Sequence, residues 1–333
     1  MKNTKFDLND ITIVPAVLSD IDSRSEIGLE YFPLFVAPMD TVLSNDNFKL
    51  FKDLGFNICM PRGEKVNDLD VFVSFGLDEI IDIVNAKKVL PKKVLIDIAN
   101  GHLRKLFNIS KRIKEEYDVI LMIGNIANPE TYRLYSDIGV DYIRCSIGSG
   151  NNCITSANTS IHYPLASLIK ECYDISCELK TPAKIVADGG FRNYDEVIKA
   201  LALGADYVML GSILSKTLEA CSDNYVLGGE FNYIKIDNGD AVLRYKKSED
   251  VYKYYRGMST KEVQKKWGRK ELKTSEGISK YNKVEYTAQG WTENFTDYLK
   301  SAMSYCNSRN LNAFIGKVQY IFITEQARNR YMK

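Results

Sequence analysis

The chain has 333 residues, enough to bury a large core and to form one large α/β domain or two ordinary ones. Its 44 basic and 43 acidic residues balance, so the net charge does not favour binding to nucleic acid or to a membrane surface. We therefore expect a small-molecule ligand. The seven cysteines include no CxxC pair and only two histidines are present, which argues against a disulfide framework or a structural zinc site.

The amino-terminal sequence MKNTKFDLND lacks the apolar core of a signal peptide. No run elsewhere approaches the ~20 apolar residues that a membrane span requires. We therefore expect a soluble, cytoplasmic protein.

Eight short apolar runs recur along the chain, and segments with helical spacing lie between them. The runs, each predicted to be a strand, are residues 33–37, 56–60, 71–75, 94–99, 119–123, 142–147, 184–187 and 207–210. Strands that alternate with helices are expected to pair in parallel. Eight such units favour a (β/α)8 TIM barrel over a doubly wound open sheet, which usually has about five or six strands.

Glycines and polar residues follow these runs, where a barrel would have its catalytic face. The segments are residues 38–40, 97–101, 124–125, 148–153, 188–190 and 211–212. Any one of them alone is no more than a turn signal. Because the loops after parallel strands share one face of a barrel, the six together predict a site there.

The pattern changes after the eighth run. Residues 224–255 contain an alternating apolar and polar stretch at 234–237, and the following DNGD, at 237–240, predicts a hairpin turn. Residues 261–273 are rich in Lys and Arg, as is typical of a solvated face. They lead to the polar segment TSEG at 274–277, which we expect to lie over the barrel mouth as a flap.

A helix at about residues 295–306 and an apolar run at 318–323 complete the chain. We found no internal repeat and no low-complexity linker. We therefore predict a single barrel domain over residues 1–333, with the insertion and flap at about 224–290.

The loop after the sixth run is the main candidate for chemistry. Gly148, Ser149 and Gly150 interrupt the strand, so the backbone can turn sharply and approach a ligand. Cys153 follows, with the hydroxyl of Thr155 two residues later, which fits a covalent nucleophile beside a group that handles protons. The alternative is that Cys153 is a small buried apolar residue, as most cytosolic cysteines are.

Two further segments are of the phosphate-binding type. Asp188-Gly189-Gly190 and Gly211-Ser212 follow the seventh and eighth runs, where TIM barrels assemble phosphate sites from backbone N–H groups and a helix amino terminus. Asp188 is placed to accept hydrogen bonds from ribose hydroxyls. The pattern predicts a nucleoside monophosphate whose base could reach Cys153, one strand away.

Several segments together resemble the IMP dehydrogenase and GMP reductase family. They are FD at 6–7, APMDTV at 37–42, DIANG at 97–101, IGSGNNCIT at 147–155, ADGG at 187–190, MLGS at 209–212 and RGMS at 256–259. The resemblance is collinear along almost the whole chain, and APMDTV and the glycine-flanked cysteine are specific motifs. It implies a TIM barrel, usually tetrameric, in which the loop cysteine bonds to C2 of the purine.

Two features favour the reductase branch. DIANG resembles the strand end of the reductases rather than the DSSQG of the dehydrogenases, and no regulatory CBS pair interrupts residues 60–94. The resemblance then implies that Cys153 attacks C2 and that Thr155 and Glu276 move protons so that ammonia leaves, with NADPH as the reductant. A minimal IMP dehydrogenase lacking CBS domains, and a purine nucleotide-binding regulator without turnover, remain alternatives.

The resemblance also implies roles for other residues. Those implied for ribose phosphate are Asp188, Gly189, Gly190, Gly211, Ser212 and Tyr254, and those for the base are Met258, Ser259 and Lys273. Those implied for the cofactor are Asp97, Asn100 and Gly101. The carbonyls of Gly148, Gly150 and Cys153 would hold a monovalent cation such as K⁺, and the protein would be a homotetramer.

The chain departs from the family pattern at several positions. Ser149, Asn151 and Ser156 stand where the family has proline, serine and arginine. Met60-Pro61-Arg62 replaces the usual histidine-lysine, and Lys273 replaces an arginine. We therefore expect rebuilt contacts to the cofactor and the phosphate. No arginine for a 2′-phosphate is identifiable, so the sequence separates neither NADPH from NADH nor GMP from a modified purine nucleotide.

Overall fold

The computed structural model describes residues 4–64, 66–150, 154–229, 232–267, 274 and 277–331. In these residues the strands are β1 (Ile11–Ile13), β2 (Leu34–Val36), β3 (Asn57–Met60), β4 (Phe72–Phe75), β5 (Lys93–Asp97), β6 (Ile120–Ile126), β7 (Tyr142–Cys145), β8 (Lys184–Asp188), β9 (Tyr207–Leu210), β10 (Asn224–Leu227), β11 (Tyr233–Ile236), β12 (Tyr252–Arg256), β13 (Ser279–Lys283) and β14 (Tyr320–Phe322).

The helices of the same residues are α1 (Phe48–Asp53), α2 (Leu77–Asn85), α3 (Arg104–Glu116), α4 (Pro129–Asp137), α5 (Thr155–Thr159), α6 (Leu165–Glu178), α7 (Tyr194–Leu203), α8 (Asn238–Lys246), α9 (Lys261–Lys266), α10 (Ala288–Tyr305), α11 (Leu311–Phe314) and α12 (Glu325–Tyr331). Over the described ranges, no helix is both long and apolar enough to cross a membrane.

Strands β2 to β9 form a closed parallel barrel. Each strand pairs with the next, and the barrel closes where β2 pairs with β9, with Leu34 beside Val208. Every one of the eight predicted runs overlaps one of these strands, and helices α1 to α7 lie between them in sequence. The predicted TIM barrel is therefore confirmed.

The barrel strands are buried on both faces, which explains their nearly continuous apolar sequence. Alternate side chains along the strands fill the inside of the barrel, among them Phe35, Phe72 and Met122. The side chains between them point outward and pack against the helices. The apolar residues of the helices recur at helical spacing, as Leu106 and Ile113 do on α3. Because the barrel centre is packed, a ligand has to bind above it, at the strand ends.

The terminal segments of the chain meet in a small antiparallel sheet. Ile11 of β1 pairs with Phe322 of β14, so the apolar run predicted at 318–323 contains a strand whose partner the sequence did not indicate. Helix α10 begins at Ala288, before the predicted start at about 295, because Thr287 caps it by accepting from the Gly290 N–H.

The insertion after β9 forms a four-stranded antiparallel sheet in the order β11-β10-β12-β13. The hairpin turn predicted at DNGD is wrong. Asp237 instead caps α8, its carboxylate accepting from the Asp240 N–H at 2.9 Å. Asp and Asn are common both in tight turns and at helix amino termini, and here the cap satisfies a backbone donor of the first helical turn.

His102 links the loop after β5 to the start of the connection after β6. Its Nε2 accepts from the Ala127 N–H at 3.0 Å, so the ring proton lies on Nδ1, 3.0 Å from the Thr131 hydroxyl oxygen. Desolvation by burial lowers the pKa of the ring. The neutral imidazole is therefore the form that the fold favours.

This contact predicts a pH dependence of stability. Since the folded pKa is lowered, the contribution of His102 is complete above the unfolded pKa of about 6.5 and is lost as the pH falls through the folded pKa. The His102→Gln variant keeps an acceptor for Ala127 at any pH. We expect its thermal unfolding midpoint to fall less than that of the wild type between about pH 7.5 and about pH 5.5.

The matched control is His162→Gln, which removes the other histidine, an exposed one. It should reproduce the wild-type pH dependence. Equal losses of midpoint in the wild type and His102→Gln would show that the contact does not titrate as described.

Candidate active site

A cavity of about 620 Å³ opens at the carboxyl ends of the barrel strands. This is the face on which TIM barrels carry their active sites, and the volume suits a nucleotide-sized ligand. Its lining includes residues from every region that the sequence singled out after a strand: Met39, Asp97, Asn125, Gly148, Asp188 and Gly211. The predicted gathering of the six segments on one face is therefore observed.

Most of the predicted site residues line this cavity: Asp97, Asn100, Gly148, Gly150, Thr155, Asp188, Gly189, Gly190, Gly211, Ser212, Met258 and Ser259. Cys153, Lys273 and Glu276 lie outside the described residues, so their roles stay predictions.

Gly101 and Tyr254 lie away from the cavity lining. A Cβ on Gly101 would stand 2.6 Å from the Asn125 carbonyl oxygen, so glycine permits two loops to pack closely. The Tyr254 hydroxyl donates to Glu262, and its ring lies near Tyr281. Because side chains alternate along a strand, it is the neighbouring Tyr255 that lines the cavity.

A buried arginine joins the two sides of the cavity. Arg144 of β7 donates from Nη1 to Asp97 Oδ1 at 2.6 Å, and from Nε and Nη2 to Asp188 Oδ2 at 3.0 and 2.8 Å. Asn125 Nδ2 also donates to Asp188 Oδ2, at 2.7 Å. The side chain of Arg144 is only 8% exposed. One guanidinium therefore fixes the distance between the carboxylates predicted for substrate and cofactor.

The sequence analysis missed Arg144. It stands inside the apolar run 142–147, and a single basic residue in a strand buried on both faces was the signal that could have found it. Such a residue needs a buried partner of opposite charge, which the carboxylates ending β5 and β8 supply.

Asp97 and Arg144 of this cluster are charged at neutral pH. Burial disfavours the ionised form of Asp97, but the charges of Arg144 and Arg62 and their hydrogen bonds outweigh it and lower its pKa. Burial likewise disfavours the charged form of Arg144, and the charges of Asp188 and Asp97 outweigh it and raise its pKa. The Asp97 carboxylate is thus available as an acceptor on the cavity wall.

On the Asp97 side, Arg62 and Trp267 form part of the cavity wall. The Arg62 guanidinium carbon lies 4.3 Å from the centre of the Trp267 ring, a cation–π contact. Its Nε lies 3.3 Å from Asp97 Oδ2. Arg62 is one of the departures from the family pattern, and the structure gives it a partner, Trp267, that sequence reasoning did not select.

The glycines after β8 and β9 allow close backbone approach. Gly190 has φ +89°, and a Cβ there would lie 2.7 Å from the Ser149 carbonyl oxygen. A Cβ on Gly211 would lie 2.7 Å from the Met39 sulfur. A side chain at Gly190 would displace the backbone at Ser149, and one at Gly211 would displace the Met39 side chain. Glycine at both positions therefore lets these segments pack closely beside the cavity.

An ion pair joins two of the motifs that carry the resemblance. Arg256 Nη2 of RGMS donates to both oxygens of Asp40 of APMDTV, at 3.1 and 2.9 Å. Lys266 Nζ at the end of α9 lies 2.7 Å from Asp40 Oδ2. Asp40 therefore anchors the insertion to the barrel.

Of the three carbonyls predicted to hold a monovalent cation, that of Gly148 already has a hydrogen-bond donor in the described part of the loop. The Gly148 carbonyl oxygen accepts from the Ser156 hydroxyl at 2.9 Å. That bond engages one of the two lone pairs of the carbonyl oxygen. The third predicted carbonyl, that of Cys153, lies outside the described residues.

Comparison with known proteins agrees with this geometry. Residues 83–330 match the family model described as the IMP dehydrogenase / GMP reductase domain. The chain is 27% identical to GMP reductase of Staphylococcus saprophyticus, over 97% of each chain, and 25% identical to that of Staphylococcus aureus, over 97% of this chain and 98% of the relative. It is also 29% identical to inosine-5′-monophosphate dehydrogenase of Cryptosporidium parvum, over 69% of this chain and 54% of the relative.

The matched region covers most of the barrel and the whole insertion, and the motifs that line the cavity are those on which the resemblance was based. The chain belongs to the IMP dehydrogenase/GMP reductase family.

Proposed function

We propose that the protein is a GMP reductase-like enzyme that converts GMP to IMP and ammonia with NADPH. The observation that carries this proposal is the Asp97–Arg144–Asp188 cluster. It joins the reductase-like DIANG segment to the nucleotide-type ADGG segment across one cavity. The GMP reductases among the relatives, which align over 97% of this chain, support the same branch.

The substrate would lie with its phosphate at the glycine segments after β8 and β9. Backbone N–H groups of Gly190, Gly211 and Ser212 would donate to phosphate oxygens, as loops at these strands of TIM barrels do. Asp188 would accept from ribose hydroxyls through Oδ1, to which no described residue donates, because the donors converge on Oδ2. Met258 and Ser259 would face the base.

The loop that carries Cys153 would supply the nucleophile. The Cys153 thiolate would attack C2 of the purine and form a covalent C–S bond, which divides the substitution into two easier steps. The amino group at C2 is a poor leaving group as an amide, so Glu276 would deliver a proton through the Thr155 hydroxyl and ammonia would leave. Thr155 lines the cavity, which supports its part in this relay.

The cofactor would bind on the Asp97 side. Asp97 and Asn100 offer acceptors there, and Trp267, backed by Arg62, offers a flat apolar surface for a ring of the cofactor. When bound, NADPH would supply the hydride that reduces C2, after which the Cys153 thiolate departs. By the same resemblance we propose a cytoplasmic homotetramer.

The competing activity is that of a minimal IMP dehydrogenase. The identity of 29% to a dehydrogenase over 69% of the chain keeps this candidate open. A regulator that binds purine nucleotides without turnover is a further candidate, and it differs in forming no covalent adduct with GMP.

A panel of purine nucleoside monophosphates tests the proposal. We expect loss of the reduced nicotinamide absorbance with NADPH and GMP, and little with AMP or XMP. NADH run in parallel settles the cofactor. Formation of XMP from IMP and NAD at a higher rate than GMP reduction would replace the proposal with the dehydrogenase.

Removal of the thiol tests the nucleophile. Cys153→Ala should bind GMP but lose at least about 10³-fold in turnover, equivalent to ~4 kcal/mol of transition-state stabilisation, because the covalent route is gone. Cys177→Ala, which removes an exposed cysteine on α6, is the matched control and should keep the wild-type rate. Activity of Cys153→Ala within about tenfold of wild type would show that Cys153 is not the nucleophile.

The Glu276→Gln variant tests whether the protein has the chemistry of a GMP reductase or that of an IMP dehydrogenase. Glu276→Gln should abolish ammonia release from GMP, because the amide cannot deliver the proton. It should still oxidise IMP slowly to the covalent intermediate with oxidised cofactor, since that step needs no proton delivery to nitrogen. Rapid-quench trapping of the adduct measures this.

The control is Glu285→Gln, whose carboxylate pairs with Lys216 and does not line the cavity. It should release ammonia at the wild-type rate. Normal ammonia release by Glu276→Gln would contradict the proposed relay.

A further inference from the structure

The loop that carries Cys153 is held by serine hydroxyls at two of the positions where this chain departs from the family pattern. The Ser156 hydroxyl donates to the Gly148 carbonyl at 2.9 Å. The Ser149 hydroxyl bonds to that of Ser146 and lies 3.5 Å from the Asp188 carbonyl oxygen. The described beginning of the loop is thereby tied to α5 on one side and to the end of β8 on the other.

The contact between Ser156 and Gly148 is also one of close packing. Gly148 has φ +79°, and a Cβ there would stand 2.7 Å from Ser156 Cβ and 2.9 Å from Ser156 N. The first turn of α5 therefore rests directly on the glycine. A longer side chain at residue 156, such as the arginine of the family pattern, could not make this short hydroxyl contact.

We propose that Ser156 is a positioning residue whose hydroxyl takes the place of a monovalent cation in holding the Cys153 loop, so that turnover does not require K⁺. The inference rests on the proposed function in one respect, since its rate measurements use GMP reduction. It concerns how the nucleophile is held, whichever purine reaction follows.

The physical reason lies in the carbonyl that both would use. A cation site is built by aiming several carbonyl oxygens at one point, and the positive charge compensates their mutual repulsion. The Ser156 O–H directs its positive end at one of the two lone pairs of the Gly148 oxygen, so the hydroxyl supplies part of the positive charge that an ion would supply there. The hydroxyl thus satisfies the carbonyl without an ion and stabilises the same turn.

The experiment compares potassium chloride with choline chloride at equal ionic strength. For the wild type we expect GMP reduction rates within about twofold of each other in the two salts. Its thermal unfolding midpoint without substrate should also be equal in both. Ser156→Ala should lose at least about tenfold in turnover in choline chloride, equivalent to ~1.4 kcal/mol, and regain activity in potassium chloride because the freed carbonyl can accept the ion.

Thr159→Ala is the matched control. It removes another hydroxyl of α5, one that donates to the Thr155 carbonyl at 2.7 Å within the helix. It should keep the wild-type rate and the same indifference to potassium, which separates the loop contact from a general loss of helix stability.

A wild-type rate raised more than about threefold by potassium, or a midpoint raised by potassium over choline, would overturn the proposal. So would a Ser156→Ala variant with the wild-type rate in choline chloride, or one that is equally slow in both salts. Absence of GMP reduction in either salt would instead refute the proposed function. In that case the comparison of midpoints still decides whether the loop uses the ion.

Discussion

The Arg144 guanidinium, buried between Asp97 and Asp188, is the constraint on which the rest of the site depends. The two carboxylates end strands β5 and β8, which are not neighbours in the barrel, and the charge of Arg144 lies between them. Loss of one partner of such a buried network costs about 3–5 kcal/mol, because it leaves an uncompensated charge. The cluster therefore fixes both carboxylates in position before any ligand binds, and it holds Asp97 in its ionised form.

The insertion depends on a second ionic contact, made at the loop after β2. Asp40 of APMDTV is bound by Arg256 of β12 and by Lys266, the last residue of α9, so it holds both elements to the barrel. Trp267, next in sequence, packs against Arg62 from the loop after β3. The barrel thus supplies separate anchors for consecutive residues of the insertion, and this brings Trp267, Met258 and Ser259 to the cavity.

The fold could be predicted from the sequence to the extent that it depends on local pattern. The barrel strands are apolar on both faces and short, so each run was recognisable, and the glycines after them indicated the functional face. The hairpin at DNGD failed because Asp237 serves equally well as a helix cap. Tyr254 was chosen where Tyr255 lines the cavity, since a one-residue difference reverses the direction of a side chain in a strand.

The sequence predicts the motifs of the candidate site but not the side-chain contacts that join them. Arg144, Asn125 and Trp267 act through partners far away in sequence, and nothing in the local pattern of β7 indicates which carboxylates Arg144 would meet. The contact between Ser156 and the Gly148 carbonyl could not be predicted either, because the sequence shows only that a family arginine is absent. The glycine-flanked loop indicates Cys153, whereas Glu276 is indicated by the resemblance alone, and the roles of both rest on the proposed chemistry.

Transfer of deuterium from the cofactor to the purine tests the central claim most directly. The account predicts that GMP incubated with NADPH deuterated at the transferable position of the nicotinamide yields IMP with one deuterium at C2, together with ammonia in equal amount, as measured by mass spectrometry. IMP without deuterium, or XMP as the product, would contradict it.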